Sequence, residues 1–442
     1  MTIGLVSLGC AKNAVDLQVM AGHLLKAGHA MAPDPDRADA LIVNTCAFIE
    51  AAREEAVAEI LRACELKREG AVKVVAVTGC FPQRYAADCP ELFPDVDVFL
   101  GVDGIDRVVA ALERALAGRR TPPRVAAAPR RVFDPPVPEL RFTGKAFAYL
   151  KIAEGCAHRC AYCAIPGIRG RYRSRRPEAV VAEARALLAS GVRELDVVAQ
   201  DPMLYGVDFR GARRCGLVDL LRRLDELPGD FWIRVLYSYP SEISDAFIEW
   251  LNTSPHAVRY VDVPVQHTHP AVLAKMARGG AVRATREAAA RLRAAVPGVT
   301  LRTTVMTGFP GETPRRFERL LADLREMAFD HLGAFAFSPE VGTAAAAMPG
   351  RPSAATAAAR AAAVMAAQRR VWRKRARARL GETARALVVG DGVARLASQA
   401  PEVDGVTRFV VPRGAKRPAE GEFVTLRLDR VAGYDFEGTL VP

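Results

Sequence analysis

The chain has 442 residues, 62 Lys+Arg against 50 Asp+Glu, nine cysteines and a formal net charge of +12. That length allows roughly two to four domains, each able to bury its own core, and no apolar run reaches membrane-spanning length. Met1–Gly9 reads as a short strand rather than a secretory signal, and nine unevenly placed cysteines make no disulfide framework, so the chain reads as cytoplasmic, where clustered cysteines are metal or redox sites.

Residues 1–118 alternate strand and helix patterns, as a parallel α/β series does. Strands are expected at Ile3–Leu8, Ala40–Asn44, Val72–Val77 and Val96–Leu100, with amphipathic stretches at Val15–Lys26 and Ala47–Lys67. Cys10, Cys46 and Cys80 each follow one of the first three strands. Parallel strands share one carboxyl edge, where ligands bind in open sheets, so these three thiols are expected to meet there and hold metal. Gly9, Thr45 and Gly79 precede them, small or polar residues that leave room for a bulky ligand. The bland alternative is that cysteines pack as small hydrophobes, which is the reading for Cys64, Cys89 and Cys215. Residues 119–141 carry many Pro and Arg and read as a linker.

A second alternating series follows. Its strands are expected at Phe147–Ala153, Glu194–Ala199, Trp232–Tyr237, Tyr260–Val265, Thr300–Met306 and Leu332–Phe337, with helices between, which predicts a partial TIM-type β/α barrel. Directly after its first strand come Cys156, Cys160 and Cys163, spaced C-x₃-C-x₂-C. Three thiolates so close can hold three irons of a [4Fe–4S] cube, and with the next cysteine at Cys215 the fourth iron stays open for chemistry. Zinc with His158 as fourth ligand is the rival, although the spacing is not the usual two-plus-two pattern. The other strand ends form a polar rim: Gln200-Asp201, Ser238, Gln266-His267, Thr307-Gly308 and Ser338. The turn Gly308-Phe-Pro-Gly-Glu312 has glycines that let backbone approach a ligand. His267 and His269 are expected to hydrogen-bond their loop rather than act as acid or base.

Ala344–Arg379 reads as a loop leading into one long helix. It ends in seven basic residues without an acid between Arg369 and Arg379, either a nucleic-acid footprint or a solvated face. Short strands at Ala384–Val389, Val393–Ala397, Thr407–Val411 and Phe423–Leu428 predict a small all-β barrel. The charge is uneven: residues 1–118 carry 11 basic against 17 acidic groups, and residues 381–442 carry 8 against 9, so the positive excess lies between.

The run Gly155-Cys-Ala-His-Arg-Cys-Ala-Tyr-Cys, with Tyr162 before the last cysteine, resembles the radical S-adenosylmethionine signature. Together with Cys10, Cys46, Cys80 and a terminal β-barrel, the whole chain resembles the radical S-adenosylmethionine methylthiotransferase family. That resemblance implies an N-terminal methylthiotransferase domain (1–118) with an auxiliary cluster, a linker (119–141), a radical domain (142–372) and a TRAM domain (373–442). It further implies two [4Fe–4S] clusters, on Cys156, Cys160 and Cys163 and on Cys10, Cys46 and Cys80, and S-adenosyl-L-methionine, with nucleoside contacts at Tyr162, Gly308, Gly311 and Glu312.

One branch of the family modifies tRNA adenosine, the other the β-carbon of an aspartate in small-subunit ribosomal protein S-twelve. Ser7-Leu-Gly-Cys-Ala-Lys-Asn with Asp16, Val43-Asn-Thr-Cys-Ala-Phe-Ile, and Tyr260-Val-Asp-Val-Pro-Val-Gln-His resemble the protein-modifying branch. Pro202-Met203 departs from the Thr-Ser pair more usual there. The near-neutral C-terminal segment suits a basic ribosomal protein better than RNA. The expected partners are that protein and an electron donor such as flavodoxin or ferredoxin, with a monomer and no membrane. The alternatives are the adenosine reaction and, from another class, a non-catalytic RNA-binding protein with structural metal.

Overall fold

A computed structural model describes the whole chain except residues 120–122, 124, 212–214, 279–280 and 442; part of the expected linker thus lies outside the described residues. The N-terminal region runs β1 (Thr2–Ser7), α1 (Ala11–Lys26), β2 (Ala30–Met31), β3 (Ala40–Thr45), α2 (Glu50–Arg68), β4 (Val74–Gly79), α3 (Cys80–Arg84), α4 (Cys89–Leu92), β5 (Val98–Leu100) and α5 (Val108–Leu116). Its sheet is parallel in the order β2-β1-β3-β4-β5. β3 and β4 are central and buried at every residue, which is why they read as continuous apolar runs rather than alternating ones. α1 is buried at twelve of its sixteen positions, because it lies between this sheet and the next domain.

The central region contains β6 (Phe147–Lys151), β7 (Ala153–Glu154), α6 (Ile165–Arg169), β8 (Arg173–Ser174), α7 (Pro177–Ala189), β9 (Glu194–Val198), α8 (Leu217–Asp225), β10 (Trp232–Val235), α9 (Asp245–Thr253), β11 (Tyr260–Asp262), α10 (Pro270–Lys275), α11 (Ala281–Ala295), β12 (Thr300–Thr307), α12 (Pro314–Met327), β13 (His331–Ala336) and α13 (Ala354–Ala378). Two parallel three-stranded sheets, β6-β9-β10 and β11-β12-β13, are joined by the bridge between Ile233 and Ala257. Six strands thus form the partial barrel the sequence implies. Its helices start where local chemistry dictates: Pro177, Pro270 and Pro314 occupy first-turn positions, and Ser244, Thr313 and Ser353 accept backbone N–H bonds as N-caps. α13 carries the basic run. Trp372 and Ala376 face the last domain, Arg375 pairs with Asp330 at 2.5 Å and Arg379 with Glu382 at 2.9 Å, so two of the seven charges are held within the fold.

The last region closes into a barrel, β14-β15-β16-β18-β17, from β14 (Thr383–Gly390), β15 (Val393–Leu396), β16 (Thr407–Val410), β17 (Phe423–Ala432) and β18 (Asp435–Val441). Four strands are expected from the sequence and five are present. β17 runs past Leu428 through a register shift, and β18 then pairs with both β17 and β16, which closes the barrel and removes its edges. Its loop 398–405 enters the amino-terminal mouth of the central barrel: Glu402 accepts from Tyr149 Oη at 2.5 Å and Asp404 from Tyr260 Oη at 2.7 Å. A cleft of about 690 Å³ lies at this junction, lined by Trp232, Trp372, Arg375 and Arg385 among others and by no cysteine. One apolar cluster runs through all three regions, from Ile3 and Leu24 through Tyr149 and Trp232 to Leu387 and Ala400.

Candidate active site

Beyond β7 the chain must turn sharply, and Gly155 makes the turn at φ +77°, where a Cβ would stand 2.2 Å from the Arg171 carbonyl oxygen. The loop that follows carries Cys156, Cys160 and Cys163, all half-buried. Backbone bonds fix it: Cys156 N–H donates to Gly170 O, Ala161 N–H to Met276 O and Cys163 N–H to Cys160 O. Burial pushes the Cys156 thiol up to about 11 and the Cys163 thiol to about 12. Arg278 lies 3.8 Å from Cys160 Sγ, stacks on the Tyr239 ring at 4.1 Å and donates to Pro264 O at 2.8 Å. His158 is engaged elsewhere, with Nε2 2.5 Å from Asp201 Oδ2 and its ring stacked on Tyr239, so it does not complete a zinc site.

Cys10, Cys46 and Cys80 follow β1, β3 and β4, three adjacent parallel strands, and share their carboxyl edge. The glycines before them do not serve the purpose expected from the sequence. A Cβ on Gly9 would stand 2.6 Å from Cys46 Cβ, and one on Gly79 2.6 Å from Asn44 Oδ1, so neighbouring strands fill the space rather than a ligand. Asn13 ties the triad together: its Nδ2 donates to Thr45 O at 2.9 Å and Leu8 O at 3.2 Å, and its Oδ1 lies 3.8 Å from Cys10 Sγ and 3.7 Å from Cys80 Sγ. Burial pushes Cys80 up to about 12 and raises Cys46 as well. Burial also opposes ionisation of Cys10, but the Lys12 and Arg169 charges and the N–H groups of Asn13 and Lys12 outweigh it and bring that thiol below its ordinary value.

Between the triads lies a buried charge cluster. Lys151 pairs with Asp16 and, at 2.9 Å, with Glu154; Arg169 pairs with Asp16 at 2.8 Å and Glu154 at 3.0 Å. Arg169 also donates to Asn13 Oδ1 at 2.5 Å and to Cys80 Sγ at 3.4 Å. Gln200 donates to Glu154 at 2.9 Å. Burial raises Glu154, yet the Arg169 and Lys151 cations hold its carboxyl well below the usual carboxylate range. Two cations and two anions balance here, with side chains from both domains. Sequence reasoning missed Lys151, Glu154 and Arg169; Asn13 and Asp16 were visible only as parts of a resembling motif.

All six cysteines line one cavity of about 530 Å³, as do Tyr162, Gln200, Asp201 and Gln266. Gly308, Gly311 and Glu312 are not among its lining residues. Glu312 is buried beneath α13, where it accepts from Gly308 N–H at 3.0 Å and Arg360 at 2.6 Å and faces His267 Nε2 at 3.3 Å; a Cβ on Gly308 would meet Ala357 at 2.2 Å. The turn reaches the cavity wall through Phe309, whose ring meets Tyr162 edge-on. His267 and His269 bond their loop, His269 capping α10. Among the described residues no three His, Cys, Asp or Glu side chains gather tightly enough for a single metal ion. A cube takes one thiolate on each of three irons and holds them apart. Two all-thiol triads with adjacent cations to balance thiolate charge fit that group.

Comparison with known proteins gives three family matches: "Uncharacterized protein family UPF0004" over residues 2–101, the radical SAM superfamily over 150–324 and the TRAM domain over 381–441. A ribosomal protein uS12 methylthiotransferase RimO of Opitutus terrae is 40% identical, with 98% of this chain and 95% of that protein covered. RimO of Trichlorobacter lovleyi is 42% identical over 99% of this chain and 98% of its own. Among solved structures, a radical S-adenosylmethionine methyltransferase of Kitasatospora setae with cobalamin and a [4Fe–4S] cluster bound superposes with a TM-score of 0.60 at 18% identity, covering 78% of this chain and 77% of that one. That likeness carries the fold alone.

Proposed function

Because the chain belongs to the ribosomal protein uS12 methylthiotransferase (RimO) family, we propose that its two thiol triads are the two working ends of one cavity that adds a methylthio group to the β-carbon of an aspartate in uS12. The enzyme is a radical S-adenosylmethionine methylthiotransferase. The observation that carries the reading is the convergence of all six cysteines on one cavity. Cys156, Cys160 and Cys163 hold the radical-generating [4Fe–4S] cluster, and Cys10, Cys46 and Cys80 hold the auxiliary one. With S-adenosylmethionine these groups supply hydrogen abstraction from an unactivated C–H and a sulfur with its methyl group, which acid–base side chains cannot provide.

The protein's own residues balance charge, orient and exclude water. Arg278 sets a positive charge beside Cys160, and Arg169 does so beside Cys80. The Asp16–Lys151–Glu154–Arg169 cluster ties the domain that carries one triad to the domain that carries the other. Tyr162 serves as a wall for the nucleoside, with Gly308, Gly311 and Glu312 supporting it from behind through Phe309. Residues 1–118 form the sulfur-carrying unit, 119–141 the linker, 142–372 the radical unit and 373–442 the TRAM unit, whose near-neutral charge suits a basic protein partner. A flavodoxin- or ferredoxin-type donor supplies electrons to a monomer in the cytoplasm. No helix of the described residues is long and apolar enough to cross a membrane.

A Cys10→Ala/Cys46→Ala/Cys80→Ala variant tests the division. It should still form 5′-deoxyadenosine, hold about half the iron, and transfer no methylthio group, as followed by the mass of uS12. The equivalent triple change at Cys156, Cys160 and Cys163 should abolish both products. Unimpaired methylthiolation in the first variant, or a gain of mass on tRNA instead of uS12, would sink the reading.

A further inference from the structure

Two cations of the cavity lack a carboxylate partner among the described residues: Arg278, which lies beside Cys160, and Lys12, which only the Cys10 thiol, when ionised, answers. Lys12 lines the cavity from the first turn of α1, is 9% exposed, and sets its Nζ 3.6 Å above the Tyr237 ring. Among the described residues its ammonium makes no ion pair and no hydrogen bond to a carboxylate. The nearby acids are already taken: Asp16 and Glu154 are matched by Lys151 and Arg169. Arg302, another cation of the lining, faces Asp262 at 3.3 Å and Asp404 at 3.5 Å. Arg278 belongs to the other triad, beside Cys160. A buried ammonium without a carboxylate beside it is costly, and a ring face offsets only part of the lost hydration.

The ring beneath Lys12 is itself held at a cost. Tyr237 follows β10 at φ +70°, a left-handed conformation rare for a bulky residue, and Gln266 of the same cavity sits at φ +63°. Strain of this kind collects where a ligand site over-determines the backbone. A lysine on such a platform is a point charge with three rotatable donors, suited to catching an anion that enters on a flexible loop.

We propose that Lys12 receives the side-chain carboxylate of the target aspartate and holds it beside the Cys10–Cys46–Cys80 triad. This rests on the substrate reading above and names the residue that selects an acidic side chain. The same carboxylate chemistry exists in the methionine portion of S-adenosylmethionine, so the test separates the two sources.

The probes are a uS12 loop peptide bearing the target aspartate and the same peptide with asparagine there, titrated into the full-length protein with its clusters reconstituted anaerobically. The wild type should bind the aspartate peptide roughly 10- to 100-fold more tightly, the worth of a charge-assisted hydrogen bond. Lys12→Met should bind both peptides alike, at the weaker level, and Lys12→Arg should keep part of the preference. Iron, sulfide and S-adenosylmethionine affinity should stay at wild-type values in both variants. The proposal is overturned if Lys12→Met keeps the aspartate preference, if it loses S-adenosylmethionine affinity instead, or if it loses iron, which would assign the charge to the thiolates. A wild type that binds neither peptide would overturn the substrate reading, and this role with it.

Discussion

Cys156, Cys160 and Cys163 lie within eight residues of one loop, whereas Cys10, Cys46 and Cys80 come from three strand ends spread over seventy-one residues. The first triad is shaped by one loop, through Gly155 and three backbone bonds: to Gly170 after α6, to Met276 after α10 and within the loop. The second exists only because β1, β3 and β4 are neighbours in register, and because Asn13 and Arg169 bridge it to the other domain. A local site survives as long as its loop does. A dispersed site depends on a sheet, a helix and an interface at once.

Damage to the interface should therefore harm the two triads unequally, and Arg169→Met is the largest single blow. It leaves Asp16 and Glu154 buried with Lys151 alone and strips the cation from Cys80, so a loss of about 3–5 kcal/mol is expected for breaking a buried pair. Arg278→Met on the radical side removes a stacked cation that has no carboxylate partner among the described residues, and about 0.5–2 kcal/mol is expected. Denaturant midpoints of the two variants give the contrast directly. Equal losses would mean that the interface cluster does not anchor the dispersed site.

The glycines before the triads offer a milder and more selective break. Gly9→Ala puts a Cβ against Cys46 at a left-handed position, and Gly155→Ala puts one against Arg171 O. Each should cost about 1–3 kcal/mol as local strain. Gly9→Ala should lower methylthio transfer while 5′-deoxyadenosine still forms; Gly155→Ala should lower both. A Gly9→Ala enzyme that fails to cleave S-adenosylmethionine would show that the two sites are less separable than their construction implies.

The same contrast governs what the sequence disclosed. The radical triad announced itself by spacing, and the parallel strands by apolar runs such as Val74–Val77, so the partial barrel and the shared sheet edge were both legible. The charge cluster was not, because Lys151, Glu154 and Arg169 look like ordinary charged residues until two domains close on them. Nor was β18, whose pairing with β16 joins residues some thirty positions apart and has no local signature. The turn Gly308–Glu312 misled for the opposite reason: its glycines do answer to a close approach, but the approaching body is Ala357 of α13 rather than a ligand. Lys12 stood in plain view within a resembling motif, and only its lack of a carboxylate partner gave it a role.

The gentlest test changes no residue. In metal-free protein under anaerobic conditions the thiolate is the species that alkylates, so reactivity follows ionisation and access. Cys10 is open to the cavity, and although removal from bulk water opposes its ionisation, the Lys12 and Arg169 cations bring it below its ordinary value. Its labelling by iodoacetamide should level off at a lower pH than that of Cys80, Cys156 or Cys163. Cys80 and Cys163, raised by burial to about 12, and Cys156, raised to about 11, should label slowly at neutral pH and still be gaining rate well above it. Cys89, fully buried and also near 12, should stay unlabelled until the protein unfolds. Peptide mass mapping against pH reads the order. Cys10 first, in a triad otherwise silent, would show that the dispersed site keeps one primed thiol before metal arrives. Cys80 labelling as early as Cys10 would mean that the sheet edge opens when metal-free, and that the interface, rather than the strands, holds the auxiliary triad together.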